Sequence, residues 1–416
     1  MIESRHPDRR VPAMLGALLL AIGGCGGDGD TGGASADTAP ATGYEEQLRL
    51  ALETVEPGGV ITVPPGTHAF TRSLVLNVDG VTIRGAGMGE SVLSFKGQVA
   101  GAEGLLVNAG DFTIEDLAIE DTVGDALKIN GATNVVVRRV RTEWTNGPDT
   151  ENGAYGIYPV QTENTLIEGS VAIGASDAGI YVGQSRNVIV RNNRAEHNVA
   201  GIEIENTVGA DVFDNVARHN TGGILVFNMP DLPQAGHSTR LFRNDVSDNN
   251  TPNFGAPGSA VASVPAGSGV IINSNDRVEI FDNQIGGHKT ANVLISSLFS
   301  AEYTSDRETA SSFDPYPETI YLHGNTYGPG GEAPDRPALN ELRVAVFGPD
   351  GRFPDIVWDG VVDPAKAPAG LEICIEDDAT FLNIDAANGS ANPSTDLARH
   401  RCQHPPLPAV SLALAG

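Results

Sequence analysis

The sequence predicts an all-β solenoid, a single elongated core wound from coils of about 22–23 residues each. Three observations lead there. Short alternating apolar runs led by glycine recur along the middle of the chain: GIYPV from 156, GIYVG from 179, GIEIE from 201, GILVF from 223 and GVIIN from 269. ALKIN from 126 fits with alanine in the glycine position. Successive starts lie 30, 23, 22, 22 and 46 residues apart, and the minimum spacing falls in the range of stacked supersecondary repeats. The composition, with 50 glycines, 26 prolines and 6% aromatic residues, argues against a helical bundle. At 416 residues ordinary packing would give two or three domains, whereas a solenoid prolongs one core.

The chain opens with an address. Arg5, Arg9 and Arg10 precede an apolar stretch from Val11 to Gly24, too short to span a bilayer as a mature helix and typical of a signal sequence. It ends Ile22-Gly23-Gly24-Cys25, and a small-residue cleavage site directly before cysteine resembles the bacterial lipoprotein signal. That resemblance implies a signal peptide over 1–24, lipidation of Cys25, membrane attachment through the lipid alone, and a place in the bacterial cell envelope. An ordinary secretory signal with an incidental cysteine is the alternative. Arg9-Arg10 would suit twin-arginine export, but the surrounding residues do not support it. Thiols oxidise in such a compartment, so the remaining cysteines, Cys374 and Cys402, are expected to be bonded to each other. No CxxC or CxxCH occurs, which removes zinc-ribbon and haem-attachment readings. Residues 25–43 read as a glycine-rich flexible tether; Asp28 and Asp30 lack the further ligands of a calcium loop.

The net charge is −27, and three arginines against two acids in the signal leave the rest of the chain near −28. Such a chain should not bind nucleic acid or an anionic membrane surface over broad areas. It should also repel polyanionic polysaccharides unless a local basic patch or divalent cations intervene.

The first element after the tether is a helix. In YEEQLRLALETVEPGGVITVPPGTH, residues 44–68, Leu48, Leu52 and Val55 form a helical stripe ahead of a glycine turn and a strand. Such a helix can cap the open apolar end of a coil. Alternation then assigns faces along the glycine-led strands. Leu127, Ile157, Ile180, Ile202, Ile224 and Val270 should form one inward row, and Ile129, Pro159, Val182, Ile204, Val226 and Ile272 the next. Pro159 lacks an N–H and should cost one ladder bond. A second run repeats as VTIRG, FTIED, VVVRR, TLIEG, VIVRN, DVFDN, RLFRN and EIFDN. Its fourth residue alternates in sign: Arg84, Glu115, Arg138, Glu168, Arg191, Asp214, Arg243, Asp282. Stacked in one row, these would attract their neighbours and set the register. Asn192, Asn215, Asn244 and Asn283 follow the charge in the later coils and suit left-handed turns and an asparagine ladder.

These residues resemble right-handed parallel β-helices of the pectin-lyase-like class, over about residues 44–330. More closely, YGIYPVQ, SDAGIYVGQSRNVIVRNN and AGIEIEN resemble an uncharacterised bacterial family of parallel β-helix-repeat lipoproteins. The resemblance implies a single-stranded coil with an N-terminal capping helix. Beyond residue 330 the repeat fades. GPGGEAPDRP reads as a linker, and RVAVF, DIVWDG and LEICIE are strand-like pieces in a disulfide-bearing cap region, 331–416.

Insertions at 143–155, 228–238 and 249–267 flank the glycine-led sheet, and loops on a rigid scaffold often carry binding residues. The candidate groove therefore lies over that sheet. Its outward rows should be Lys128, Tyr158, Tyr181, Glu203, Leu225 and Ile271, and Asn130, Val160, Gly183, Glu205, Phe227 and Asn273. Stacked tyrosines beside glutamates offer sugar rings an apolar face and acceptors for hydroxyls. A polysaccharide or oligosaccharide partner is expected there, held by Lys128, Tyr158, Gln161, Tyr181, Gln184, Glu203, Glu205 and Phe227. Outward ladder residues on a solvated acidic face are the plainer alternative. The candidate acids and bases are Asp177, His197 and Glu203, with Asp149, Glu151, Tyr155, Glu205 and His219 behind them. No cofactor is required; calcium between Glu203 and Glu205 is the one the acids admit. Alginate C-5 epimerases resemble YG(F/I)DPHD, and here Tyr155-Gly156-Ile157-Tyr158-Pro159-Val160-Gln161 keeps the frame but lacks both acids and the histidine. Lys128, the lone outward cation, is too little for a pectate-lyase mechanism. The reading is a monomeric envelope lipoprotein that binds and processes a polysaccharide, or alternatively a non-catalytic scaffold acting with an envelope protein partner.

Overall fold

The computed structural model describes residues 43–300, 309–311, 313–366 and 373–414. The signal sequence, Cys25 and the tether up to Thr42 lie outside the described residues. Among the described residues the strands coil in parallel into two sheets, one of eleven strands and one of nineteen. The eleven-stranded sheet is the glycine-led face. It includes Leu127–Asn130, Tyr155–Val160, Ala178–Gly183, Ala200–Glu205, Gly222–Phe227 and Ser268–Asn273 in that order.

The inward rows fall as alternation requires. Leu127, Ile157, Ile180, Ile202, Ile224 and Val270 are register partners in turn, and all are buried. Pro159 sits in register with Ile129, while pairing to the following coil holds at Ile157–Ile180 and Val160–Gly183 on either side of it. Helix α1 (Gly43–Thr54) closes the first coil with Leu48 and Leu52 in the core. The Glu45 carboxylate accepts from the Thr71 N–H and hydroxyl at 3.1 Å, pinning the cap to the first coils.

The register row differs from the expected single line. Arg84, Glu115, Arg138, Glu168 and Arg191 stack with opposite neighbours, as in Arg138–Glu168 and Arg191–Glu168, both at 2.6 Å. The next partner of Arg191 is Phe213 rather than Asp214. From there the row is aromatic: Phe213, Phe242, Phe281 and His323 stack within 10° of parallel. Asp214 and Arg243 pair one position along, at 2.8 Å. The asparagine ladder shifts with it. It runs through Asn193, not Asn192, then Asn215, Asn244, Asn283 and Asn325, each backbone N–H donating to the next side-chain oxygen at 2.9–3.1 Å. Asn192 occupies the left-handed turn position beside it, at φ 55°. A second ladder, Asn198, Asn220 and Asn249, ends on His288.

The sheets run on past residue 330 through Ile356–Trp358, Ile373–Ile375 and Phe381–Asn383. RVAVF, expected as strand, belongs instead to helix α2 (Pro337–Phe347), opened by Pro337 and ended at Gly348. Leu339, Leu342 and Val346 give that helix an apolar stripe at helical spacing, packed against Val357 and Leu382 of the sheet. Cys374 and Cys402 are bonded. Beyond Cys402 the chain turns back along the nineteen-stranded sheet. The Leu407 N–H donates to Glu279 at 2.9 Å and the Val410 N–H to Asp211 at 3.2 Å.

Candidate functional site

The outward row of the glycine-led sheet is in the expected register, but outward is not exposed. Tyr181, Glu203, Leu225 and Ile271 are successive partners. Tyr181 is 4% exposed and Glu203 1%, and Glu205 and Phe227 are buried as well. The expected open sugar platform is therefore corrected, as is a solvated acidic face. The cause is the insertion at 249–267, which brings Val261 and Val264 into an apolar cluster with Tyr181, Leu225, Phe227, Met229 and Ile271. Lys128, Tyr155, Tyr158 and Asp177 remain half-buried and form the accessible side.

Three tyrosines meet here. Tyr155 lies 4.5 Å from both Tyr158 and Tyr181 by ring centroid, and Tyr158 meets Tyr181 edge to face at 4.9 Å. The Lys128 ammonium sits 4.9 Å over the Tyr158 ring, and 3.6 Å from Asp125. The Tyr181 hydroxyl donates to Glu205, and the Gln184 amide reaches the same carboxylate oxygen at 3.3 Å. Gln184 makes this reach from a left-handed turn, at φ 47°.

The carboxyls share one environment. Burial pushes Asp177 up to about 8, with the charge of Glu205 adding and a hydrogen bond from Tyr155 opposing. Burial likewise lifts Glu205 to about 7, opposed by the Tyr181 hydroxyl. Glu203 is held well above the usual carboxylate range by burial and then by Asp177 and Glu205, and its Oε2 is buried without a hydrogen-bond partner. Burial also holds the Tyr155 and Tyr181 hydroxyls protonated. Near neutral pH the face thus presents acids able to exchange protons, not fixed anions.

The other sequence candidates lie apart from this cluster. His197 is exposed in a left-handed turn at φ 60° and stacks on His219 at 5.6 Å. Gln161 is exposed in an equivalent turn. Phe227 adjoins Glu205 in register but lines an apolar cavity. Asp149 and Glu151 are exposed, the Glu151 N–H donating to Asp149 at 3.0 Å. Sequence reasoning missed Asp125, although GDALKIN repeats the Asp-Ala start of SDAGIYV. It also missed Gly183 as the gap over which the Tyr181 ring lies. Among the described residues, the three carboxyls whose oxygens all lie within 4.8 Å are Asp276, Asp314 and Glu318, not the Asp177 group. Lys366 already bridges Asp314 and Glu318 at 2.6 and 2.8 Å.

The coil is that of right-handed parallel β-helices, and residues 71–232 match the family model described as right handed beta helix region. Solved structures share the coil at low identity. The A-module of a mannuronan C-5 epimerase from Azotobacter vinelandii is 19% identical, covering 76% of this chain and 85% of that one at a TM-score of 0.46. The catalytic unit of an α-1,3-glucanase from Streptomyces thermodiastaticus is 16% identical, covering 76% and 47% at 0.46. A DFA-IIIase from Arthrobacter chlorophenolicus is 10% identical, covering 76% and 87% at 0.48. No curated protein matches the chain.

Proposed function

We propose that this β-helix is a carbohydrate-processing protein whose active face is the Asp177–Glu203–Glu205 cluster with Tyr155, Tyr158 and Tyr181. The observation that carries the reading is the convergence of three interacting carboxyls and three tyrosines on one side of the coil, with Lys128 at its accessible edge. A sugar would approach over Tyr158 and Lys128 and meet Asp177 first, because these keep exposure. Asp177, poised between its two protonation states near neutral pH and raised in part by the charge of Glu205, acts as general acid or base. Tyr158 supplies the apolar ring face. The lipid at Cys25 and a place in the envelope belong to the same proposal, supported by the signal-like segment before that residue.

A non-catalytic scaffold for an envelope protein partner is the second reading. It is favoured by the depth of Glu203 and Tyr181, whose contacts also join successive coils. The test uses the full chain carrying Cys25→Ser, incubated with a panel of polysaccharides with and without calcium and followed by proton NMR. New anomeric or unsaturated-sugar signals that vanish with Asp177→Asn are the expected outcome. Unchanged spectra across the panel, with a protein captured stably from the envelope, would establish the scaffold instead.

A further inference from the structure

Further along the same outward face the polar cluster gives way to a cavity of about 280 Å³. Phe227, Ile271 and Leu294 form its floor on the sheet, Val264 follows one 3-10 turn and Leu298 opens another, and Leu339 comes from α2. An apolar enclosure of this kind does not hold water well, and this one has room for about nine water-sized groups, roughly twice a cavity that accepts benzene. That is the size of a medium-length alkyl chain. Ser263, Asn273, Ser296 and Ser300 are the neutral polar groups of its lining.

The polar side chains at the cavity indicate the head group. Asp359 has both oxygens engaged at its own place in the wall: one accepts from the Ser297 N–H and hydroxyl at 2.6 and 2.7 Å, the other from the Val361 N–H at 3.0 Å. Arg336 lines the cavity at the start of α2 and has no ion pair among the described residues. It donates through one terminal nitrogen to the carbonyls of Ala262 and Val264, at 2.8 and 3.5 Å. Its Nε is buried and lacks a partner. A guanidinium with a free buried N–H beside an aliphatic hollow fits an anion carried on an apolar chain, and its fork matches a carboxylate. We propose that the cavity binds a single-chain aliphatic carboxylate, its chain against Ile271, Leu294 and Leu339 and its head on Arg336.

Isothermal titration of the full chain carrying Cys25→Ser, with decanoate and with 1-decanol, tests this. Decanoate should bind one per chain and at least tenfold tighter than the alcohol. Arg336→Gln should bring decanoate to the level of the alcohol and leave the alcohol unchanged. Leu339→Trp, which fills the cavity from α2, should abolish both. Because Arg336 also holds two loop carbonyls, Leu298→Asp is the second variant. It sets a like charge on the wall and should weaken decanoate more than decanol, with the melting temperature reporting that the coil persists. No binding of decanoate at millimolar concentration, equal affinity for acid and alcohol, or binding indifferent to Leu339→Trp would each overturn the proposal.

Discussion

Gly183 shows how a single hydrogen in place of a side chain sets the chemistry of the acid cluster. A Cβ there would lie 2.3 Å from Cε1 and 2.6 Å from the hydroxyl oxygen of Tyr181. The ring crosses the strand over this gap, and its hydroxyl reaches Glu205, the register partner of Gly183 one coil on. Gly183→Ala should push Tyr181 aside. Glu205 then loses the donor that holds its pKa down, so its titration midpoint should rise above the present value of about 7. Carbon-13 NMR of labelled glutamate reads this directly, and Tyr181→Phe should give the same displacement; a midpoint that stays put in both variants would separate the two groups. Asp177 makes a prediction of opposite use. Burial raises its folded pKa to about 8 from an ordinary 3.8, so the folded state holds a proton that the unfolded chain releases. Its relative contribution to stability is greatest below about pH 4 and is lost as pH rises towards 8. Asp177→Asn should therefore flatten the pH dependence of chemical unfolding across that window and stabilise the chain at pH 8 and above. A parallel pair of curves would refute it.

At the scale of the element, the ladders do the work of register. Asn220 accepts from the Asn198 N–H and donates to the Ala195 carbonyl, both buried inside a turn. Asn220→Ala strands both groups and should cost about 2–5 kcal/mol, with loss of exchange protection at the Asn198 amide. Its exposed neighbour His219, in a left-handed turn that asparagine tolerates, should accept His219→Asn within about 0.5 kcal/mol. His288 ends this ladder as a neutral ring, Nδ1 accepting from the Asn249 N–H and Nε2 donating to the Val246 carbonyl. Burial lowers its pKa to about 4 from 6.5, so its contribution is complete above 6.5 and lost as pH falls through 4. His288→Asn should remove that acid-side loss. A period of two residues made the inward rows legible in the sequence, because any slip turns isoleucine to water. The asparagine row was legible in kind but not in position. Phe213 rather than Asp214 is the partner of Arg191, and Asp214 and Arg243 still meet as opposite charges in the neighbouring row, so sign alone could not choose. The cover over Tyr181 and Glu203 was not legible at all. Whether an insertion such as 249–267 flanks a sheet or folds onto it depends on which apolar side chains find each other, and Val261 and Val264 carry no periodic mark.

At the scale of the whole molecule, the chain is bound in two directions. Coils join nearest neighbours in one direction, and the segment after Cys402 returns across them in the other. Its spacing suits the coil. From Leu407 to Val410 is three residues, about 9.3 Å in a polyproline-like chain, and Pro405, Pro406 and Pro408 hold it extended. Their acceptors, Glu279 and Asp211, stand two coils apart with Arg240 between them, about 9.6 Å at the spacing of strands. The bond from Cys374 to Cys402 closes a loop of 28 residues, worth about 3–4 kcal/mol by loop entropy. Reduction, or Cys402→Ser, should destabilise the last coils by about that amount and expose the tail to proteases. The amides of Leu407 and Val410 should lose exchange protection, while the coils before Asp211 stay protected.

That returning segment also carries information about time. A chain threaded out from its N-terminus can stack each coil as soon as the next arrives, using contacts some twenty residues apart. The Val410 contact to Asp211 waits for a separation of 199 residues. A product cut short before Cys402 would carry every coil, yet leave Asp211 and Glu279 without these donors halfway down its flank. Arrival of the segment after Cys402 is thus written on the middle of the molecule, at Asp211 and Glu279.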